Sequence, residues 1–233
     1  MIEILGIKVY LYGLLIGIGI WLAIEIALVR KKTQAEKKLL EKVFPWVVLG
    51  GIVGARLYHV IDFWARYYSF DPIKMFYVWE GGLGIWGAIA GGVMAVYIYC
   101  LTKKLNFLKV LDDLIVGVPL AQAIGRVGNR VNGELFGKNG EPLFAYEAVL
   151  NLILFVILVY ISGFRVKARN DRIPTAGVYF LGYGLIRIFL EGMRPEEIIW
   201  KIGGIPTAVI FGVVAIITGV WIATARKNSN RRS

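Results

Sequence analysis

Seven stretches of the chain, residues 9–29, 43–61, 83–101, 108–124, 144–161, 176–190 and 205–223, are apolar almost throughout. Each approaches the roughly 17–25 residues that a tilted helix needs to cross a bilayer core. Lipid offers the backbone no water, so segments of this length satisfy their own N–H and C=O groups as helices. The expectation is an all-α, polytopic integral membrane protein with seven transmembrane helices. Composition agrees, since 58% of the 233 residues are hydrophobic, which lies outside the soluble globular class. The sixth stretch is the shortest and is interrupted by Tyr183 and Arg187. With no internal repeat, low-complexity run or linker, residues 1–233 read as a single transmembrane domain. The start, MIEILGIKVYLYGLL, has no basic leader and no small-residue cleavage site, so its apolar run reads as a retained span.

The formal net charge is +11. In a soluble protein that would point to nucleic acid; here it is first a matter of topology, because Lys and Arg gather in cytoplasmic loops. One set of connections carries Arg30, Lys31, Lys32, Lys37, Lys38 and Lys42, then Lys103, Lys104 and Lys109, then Arg165, Lys167, Arg169 and Arg172. The tail adds Arg226, Lys227, Arg231 and Arg232. The other set is less basic and holds Asp62, Asp71, Glu80, Glu134, Glu141, Glu196 and Glu197. Seven spans with this alternation place the N-terminus outside and the C-terminus in the cytoplasm. Trp46, Trp64, Trp79, Trp86, Trp200 and Trp221 fall near span ends, as interfacial anchors do.

Against this background the charges inside spans are informative, because each is costly in lipid and faces a bundle interior or a wet cavity. Arg56 lies in GARLYHV and Arg187 in LGYGLIRIFLEGMR. Tyr183, Arg187, Glu191 and Arg194 recur at i, i+4, i+8 and i+11, one stripe on a helix of 3.6 residues per turn. The bland reading is a self-paired stripe that snorkels and positions its helix, but Tyr183 and Arg187 lie deep for that. Arg126 at the end of the fourth span, Glu147 at the start of the fifth, Tyr12 near the outer end of the first and Gly81, Gly82 and Gly84 before the third point to the same outer half. Singly, these read equally as an interfacial arginine, an aromatic-belt tyrosine and helix-packing glycines. Together they suit a phosphate whose tails remain in lipid, since Arg presents a fork of donors to phosphate oxygens and glycines let backbone N–H groups approach an anion. Asn129 and Asn132 either bind glycerol hydroxyls or hold their own segment. Glu25, Asp112 and Asp113 near inner span ends read as structural partners of nearby lysines.

Other chemistries find no support in the sequence. Cys100 is the single cysteine, so no intrachain disulfide forms. His59 is the single histidine and reads as a hydrogen-bonded packing residue. No cluster has the spacing of a metal site, no Ser-His pair suggests a serine protease, and no GxxxxGK[ST] loop implies ATP. No cofactor is expected.

The segment from Gly125 to Gly137, GRVGNRVNGELFG, resembles the signature of bacterial prolipoprotein diacylglyceryl transferases, G-R-x-G-N-x-x-N-x-E-x-x-G. Gly125, Arg126, Gly128, Asn129, Asn132, Glu134 and Gly137 match. The likeness extends to LYGLLIG, GARLYHV, WEGGLGIWGAIAGG, the Tyr146–Glu147 pair and GYGLIRIFLEGMR, and so covers most of the chain in order. The resemblance implies seven helices with the N-terminus outside, in the bacterial cytoplasmic membrane. It implies an enzyme that moves the diacylglyceryl group of phosphatidylglycerol onto the lipobox cysteine of a preprolipoprotein signal peptide, as a thioether, releasing glycerol phosphate. By the same resemblance Arg126 binds the lipid phosphate. Asn129, Asn132 and Glu134 shape the headgroup site, and Tyr183, Arg187, Glu191 and Arg194 form the functional stripe. Glu147 and Tyr12 are further functional positions. The partners implied are the lipid, the signal peptide and the bilayer, with no nucleic acid.

The chain departs from that pattern at three places. Trp86 stands in GIWGAIAGG where relatives often have histidine, Arg130 stands where an aromatic residue is common, and EPLFA precedes Tyr146 where a histidine-proline pair is usual. Two further readings stay open at this point: a phospholipid or anion transporter without chemistry, and a headgroup transferase with another acceptor.

Overall fold

In lipid every backbone polar group needs a partner within the chain, and the computed structural model, which describes residues 2–4, 7–9, 11–163 and 174–231, meets that need chiefly with helices. Among the described residues they are α1 (Leu11–Val29), α2 (Gln34–Asp62), α3 (Ile85–Thr102), α4 (Phe107–Leu114), α5 (Val118–Val131), α6 (Leu143–Gly163), α7 (Thr175–Glu191) and α8 (Thr207–Arg231). Two short antiparallel hairpins accompany them, β1 (Ile2–Ile4) with β2 (Ile7–Val9) and β3 (Lys201–Ile202) with β4 (Ile205–Pro206), along with single 3₁₀ or π turns. Gly203 and Gly204, both at positive φ, make the second hairpin's turn.

Among the described residues five helices are long and apolar enough to cross a membrane: α1, α2, α3, α6 and α8. Most of their apolar side chains point outward, as on α6, where Val149, Leu152, Ile153, Val156 and Tyr160 are exposed. Such a surface would aggregate in water and suits lipid. The protein is therefore a polytopic membrane protein. The other two predicted spans take different forms. The stretch 108–124 is α4, a 3₁₀ turn (Ile115–Gly117) and α5, not one helix. Pro119, at the start of α5, has no N–H to continue the ladder. The stretch 176–190 is α7, whose 17 residues rise about 26 Å.

The predicted loops also need correction. Residues 34–42, read as a basic connection, are the first turns of α2, opened by a capping box in which Thr33 and Glu36 satisfy each other's backbone N–H. At 29 residues α2 is about 44 Å long, more than a bilayer core of about 30 Å, so its lysine-rich start has length to spare. Arg226, Lys227 and Arg231 fall within α8, while Arg165, Lys167, Arg169, Arg172 and Arg232 lie outside the described residues. The six tryptophans assigned to interfaces are all exposed.

Contacts divide the chain into two compact groups, Lys31–Val110 and Met1–Arg30 with Leu111–Ser233. In the first, α2 and α3 cross through glycines. A Cβ on Gly54 would strike the carbonyl oxygen of Gly87 and lie 2.8 Å from the Cα of Gly91. Lipid tails give helices no hydrophobic reason to associate, so backbone-close packing of small residues takes over. Buried Arg56 organises the following segment: its guanidinium donates to the carbonyls of Lys74, Met75 (2.9 Å), Tyr77 (3.0 Å), Gly81 (2.6 Å) and Gly82 (3.1 Å). These bonds occupy all three guanidinium nitrogens, so its function here is to hold loop backbone. His59 meets the Tyr68 hydroxyl at 2.9 Å and stacks on Phe63, which is the packing role expected of it.

In the second group α5 lies against α1 and α6, and α7 against α6 and α8. Gly117 admits the backbone of Ala23 from α1, and Gly184 and Gly219 approach the carbonyls of Gly212 and Gly177 along the α7–α8 seam. Asp112 accepts the Ala176 N–H at 2.8 Å and so caps the start of α7. Gly54→Ala should destabilise the α2–α3 seam by about 1–3 kcal/mol, seen as an earlier thermal transition of detergent-purified protein. Gly13→Ala, where the added Cβ meets open space, should leave that transition unmoved.

Candidate active site

The opening turns of α6 bury a carboxylate. Glu147 is 1% exposed and lies 2.8 Å from Arg126 on α5 and 3.6 Å from Arg187 on α7. An ionised carboxylate away from water is tolerable only when paired and hydrogen-bonded, and two guanidinium groups from two other helices provide that. Three helices are thereby fixed at one point, with α5 and α7 ending where α6 begins. Tyr183, one turn before Arg187, interacts with both guanidinium groups and with Glu147. Tyr12 of α1 packs its ring over Gly128 of α5, within range of the Arg126 charge.

From Arg126 a polar chain runs outward. Its Nη1 donates to the Asn129 Oδ1 at 3.0 Å, and the Asn129 Nδ2 donates to the Glu134 Oε2 at 2.9 Å. Asn132 donates to the other oxygen of Glu134 at 3.4 Å. Residues 125–131 are the last turns of α5, not a loop between spans, so Arg126 and Asn129 project from a regular helix. The chain then turns through Gly133, at φ 70°, and Leu135, at φ 63°.

The glycines of this segment have mostly structural reasons. At Gly128 a Cβ would come within 2.5 Å of the Tyr12 ring, so the missing side chain is what lets α1 bring its tyrosine toward Arg126. Gly137 lies against Glu141 and the Met193 carbonyl. Gly125 alone among the matched glycines that lie on α5 has open space beside it. The next turn is tied to the end of α7: Lys138 donates its backbone N–H to the Met193 oxygen (2.9 Å) and its Nζ to the Gly192 oxygen (3.3 Å). Glu141 accepts from the Asn139 backbone and side chain, both at 2.9 Å. These bonds, together with its own backbone amide, hold its carboxyl below the usual carboxylate range.

The predicted stripe is brought together in part. Tyr183, Arg187 and Glu191 share α7, but the helix ends at Glu191 and Arg194 sits in the turn beyond. It folds back so that its Nη1 lies 3.4 Å from the buried Glu191 carboxylate. Arg130 takes the aromatic neighbour Phe144, its guanidinium 5.5 Å from the ring centre. Trp86 and His59 belong to the other helix group. Among the described residues no cluster of three or more His, Cys, Asp or Glu could hold a metal ion.

Sequence reasoning missed a layer one turn deeper. Gln122 precedes Arg126 by four residues, Asn151 follows Glu147 by four, and Tyr179 precedes Tyr183 by four. Gln122 donates to the Tyr179 hydroxyl at 3.0 Å, and the Tyr179 and Tyr183 rings stack at 5.7 Å. The i, i+4 rule applied from Arg126 and Glu147 would have found Gln122 and Asn151, and applied once more from Tyr183 would have found Tyr179.

The arrangement offers two guanidinium groups, held by an exchangeable carboxylate and partly exposed, at the end of a helix cluster with apolar flanks. It can take an anion such as a phosphate, stabilise charge developing on it, and leave attached hydrocarbon in the bilayer. Comparison with known proteins agrees. The profile described as prolipoprotein diacylglyceryl transferase matches residues 1–225. The chain is 34% identical over 233 residues to the phosphatidylglycerol–prolipoprotein diacylglyceryl transferase of Finegoldia magna, covering 94% of this chain and 91% of that protein. The protein of the same name from Clostridioides difficile is 32% identical over 249 residues, covering 99% and 97%. That from Parasynechococcus marenigrum is 34% identical over 230 residues, covering 87% and 81%. This chain belongs to the prolipoprotein diacylglyceryl transferase family.

Proposed function

We propose that the protein transfers the diacylglyceryl group of phosphatidylglycerol to the lipobox cysteine of a prolipoprotein. The observation that carries this reading is the buried Glu147 carboxylate shared by Arg126 and Arg187. The lipid phosphate displaces that carboxylate and takes the two guanidinium groups, with Asn129, Asn132 and Glu134 around the headgroup and Tyr12 closing the side toward α1. Glu147, buried and stripped of its cations, then takes the proton from the substrate thiol. The thiolate is the competent nucleophile. It attacks the glyceryl carbon that bears the phosphate ester; the S–C bond forms, the C–O bond breaks, and glycerol phosphate leaves with the electron pair. Arg126 and Arg187 stabilise the charge that gathers on the departing phosphate, while Tyr183 orients it. Glu191 and Arg194 hold the end of α7 and border the exit.

The single transmembrane domain crosses the membrane seven times in this reading, with α4, its turn and α5 as one broken span and α7 as another. The N-terminus is outside, the C-terminus is in the cytoplasm, and the site opens toward the outer leaflet of the bacterial cytoplasmic membrane. The alternating basic connections support this orientation.

The direct test is mass spectrometry of a lipobox peptide incubated with purified protein and phosphatidylglycerol. A diacylglyceryl mass gain on cysteine is expected, with Arg126→Ala and Arg187→Ala each slowing turnover by about 100- to 1,000-fold. Phosphatidylglycerol binding without any covalent product would favour a transport or lipid-binding role instead. Glu147→Gln should lower kcat by about 100-fold or more, while the protein still binds phosphatidylglycerol; full activity would remove Glu147 from the proton transfer. For topology, a cysteine at Asn139 in a Cys100→Ala background should react with an impermeant maleimide in intact cells, and one at Lys104 should not. The reverse pattern would invert the orientation.

A further inference from the structure

Beneath the ion pair the structure leaves polar atoms without partners. Asn151 is 0% exposed, and neither its Nδ2 nor its Oδ1 has a hydrogen bond. The Gln122 Oε1 is likewise buried and unpartnered, although the Nε2 of the same amide is bonded to Tyr179. An amide left so in a low-dielectric interior costs more than a made hydrogen bond gains. All three atoms are buried.

Place and chemistry narrow what satisfies them. Gln122, Asn151 and Tyr179 each stand four residues from Arg126, Glu147 and Tyr183, on the side away from the ends where α5 and α7 stop and α6 starts. That puts Gln122 and Asn151 about 6 Å further into the helix cluster than Arg126 and Glu147, with Tyr179 about 12 Å below Arg187. The free atoms are two acceptor oxygens and one amide nitrogen that donates. The esters of a diacylglyceryl group lie on that side of a phosphate, but esters only accept. The glycerol hydroxyls of the headgroup both donate and accept, but they lie on the other side of the phosphate. A peptide group donates and accepts, and extended backbone that enters a membrane protein must find partners for both.

We infer that Asn151 and Gln122 form a subsite for the main chain of the peptide that carries the reacting cysteine, engaged when the helices part to admit it. The Asn151 amide pairs with a peptide N–H and C=O beside the cysteine, the Gln122 Oε1 accepts a second peptide N–H, and together they hold the thiol one turn beneath the phosphate, on the side from which it attacks the glyceryl carbon. The inference rests on the transferase reading. It makes peptide recognition partly independent of side-chain sequence, because main-chain atoms are what is read.

The test uses steady-state kinetics of full-length enzyme in detergent with phosphatidylglycerol and a synthetic lipobox peptide. Asn151→Leu keeps the heavy-atom count and branching and removes the unpaired amide, a gain that offsets the larger methyl groups, so its melting temperature should hold. Its KM for the peptide should rise about tenfold, the equivalent of one lost hydrogen bond, with the KM for phosphatidylglycerol unchanged. A second arm needs no variant: a depsipeptide with an ester oxygen replacing the N–H beside the cysteine should bind wild-type enzyme about tenfold more weakly, and Asn151→Leu should not distinguish it from the parent peptide. A rise confined to the KM for phosphatidylglycerol would reassign the layer to the lipid esters. Unchanged KM for both substrates, or a fall in kcat alone, would overturn a binding role. No product from wild-type enzyme would instead overturn the transferase reading itself.

Discussion

One carboxylate holds the larger helix group together at its functional end. Glu147 is contributed by the start of α6, and its two cations come from the last turns of α5 and the last turns of α7. Remove the carboxylate and two guanidinium groups face each other in a poorly hydrated interior, where like charges are far more costly than in water. Remove either arginine and a buried anion loses part of its compensation. The interaction is therefore an anchor and a loaded site at once. It keeps the arginines in place, and in the proposed function an arriving phosphate replaces one anion with another.

Such a centre needs helices that approach closely without a hydrophobic force between them. The chain solves this with glycine on three seams: Gly54 against Gly87 and Gly91, Gly117 against Ala23, and Gly184 and Gly219 against Gly212 and Gly177. The same device reaches into the site. Gly128 leaves room for the Tyr12 ring, within range of the Arg126 charge. In a soluble protein these glycines would weaken their helices. In lipid, where solvent does not compete for the helix backbone, that cost is small compared with the gain from contact.

Much of this was legible in the sequence, for physical reasons that also mark where it stopped. Apolar length is a direct readout of the bilayer, so the existence of the long helices could be read from it. The break at Gly117-Val118-Pro119 could have been read from its proline but was masked by apolar side chains on both sides. Arginines inside apolar stretches are rare enough to be noticed, yet spacing alone does not say what satisfies them. Arg187 meets a carboxylate, while Arg56, which looks the same in sequence, spends its donors on loop carbonyls. The four-residue stripe was right for Tyr183, Arg187 and Glu191. It failed at Arg194 because periodicity does not report that the helix ends at Glu191. The polar segment at 125–137 lies beyond the predicted fourth span because glycine and asparagine are breakers in water; within a packed cluster, residues 125–131 stay helical and Gly128 admits a neighbour.

Neutral amides are the hardest class to read in this way. A charge in a span announces itself by its cost, whereas Gln122 and Asn151 sit in apolar runs as ordinary exceptions. Their place follows from the charged layer, one turn below Arg126 on α5 and Glu147 on α6. The two layers divide the labour of a reaction between a lipid and a peptide. The outer one is ionic, matched to a phosphate and nearly neutral at rest, so it neither repels its own helices nor draws water deep into the cluster. The inner one is uncharged, so it can stay dry and closed without a large Born cost, yet it carries enough unmet hydrogen bonding to favour a partner that both donates and accepts. A thiol presented from the inner layer meets the glyceryl carbon below a phosphate held in the outer one. The distance between the two events is one turn of helix, set by the four-residue spacing on α5 and α6.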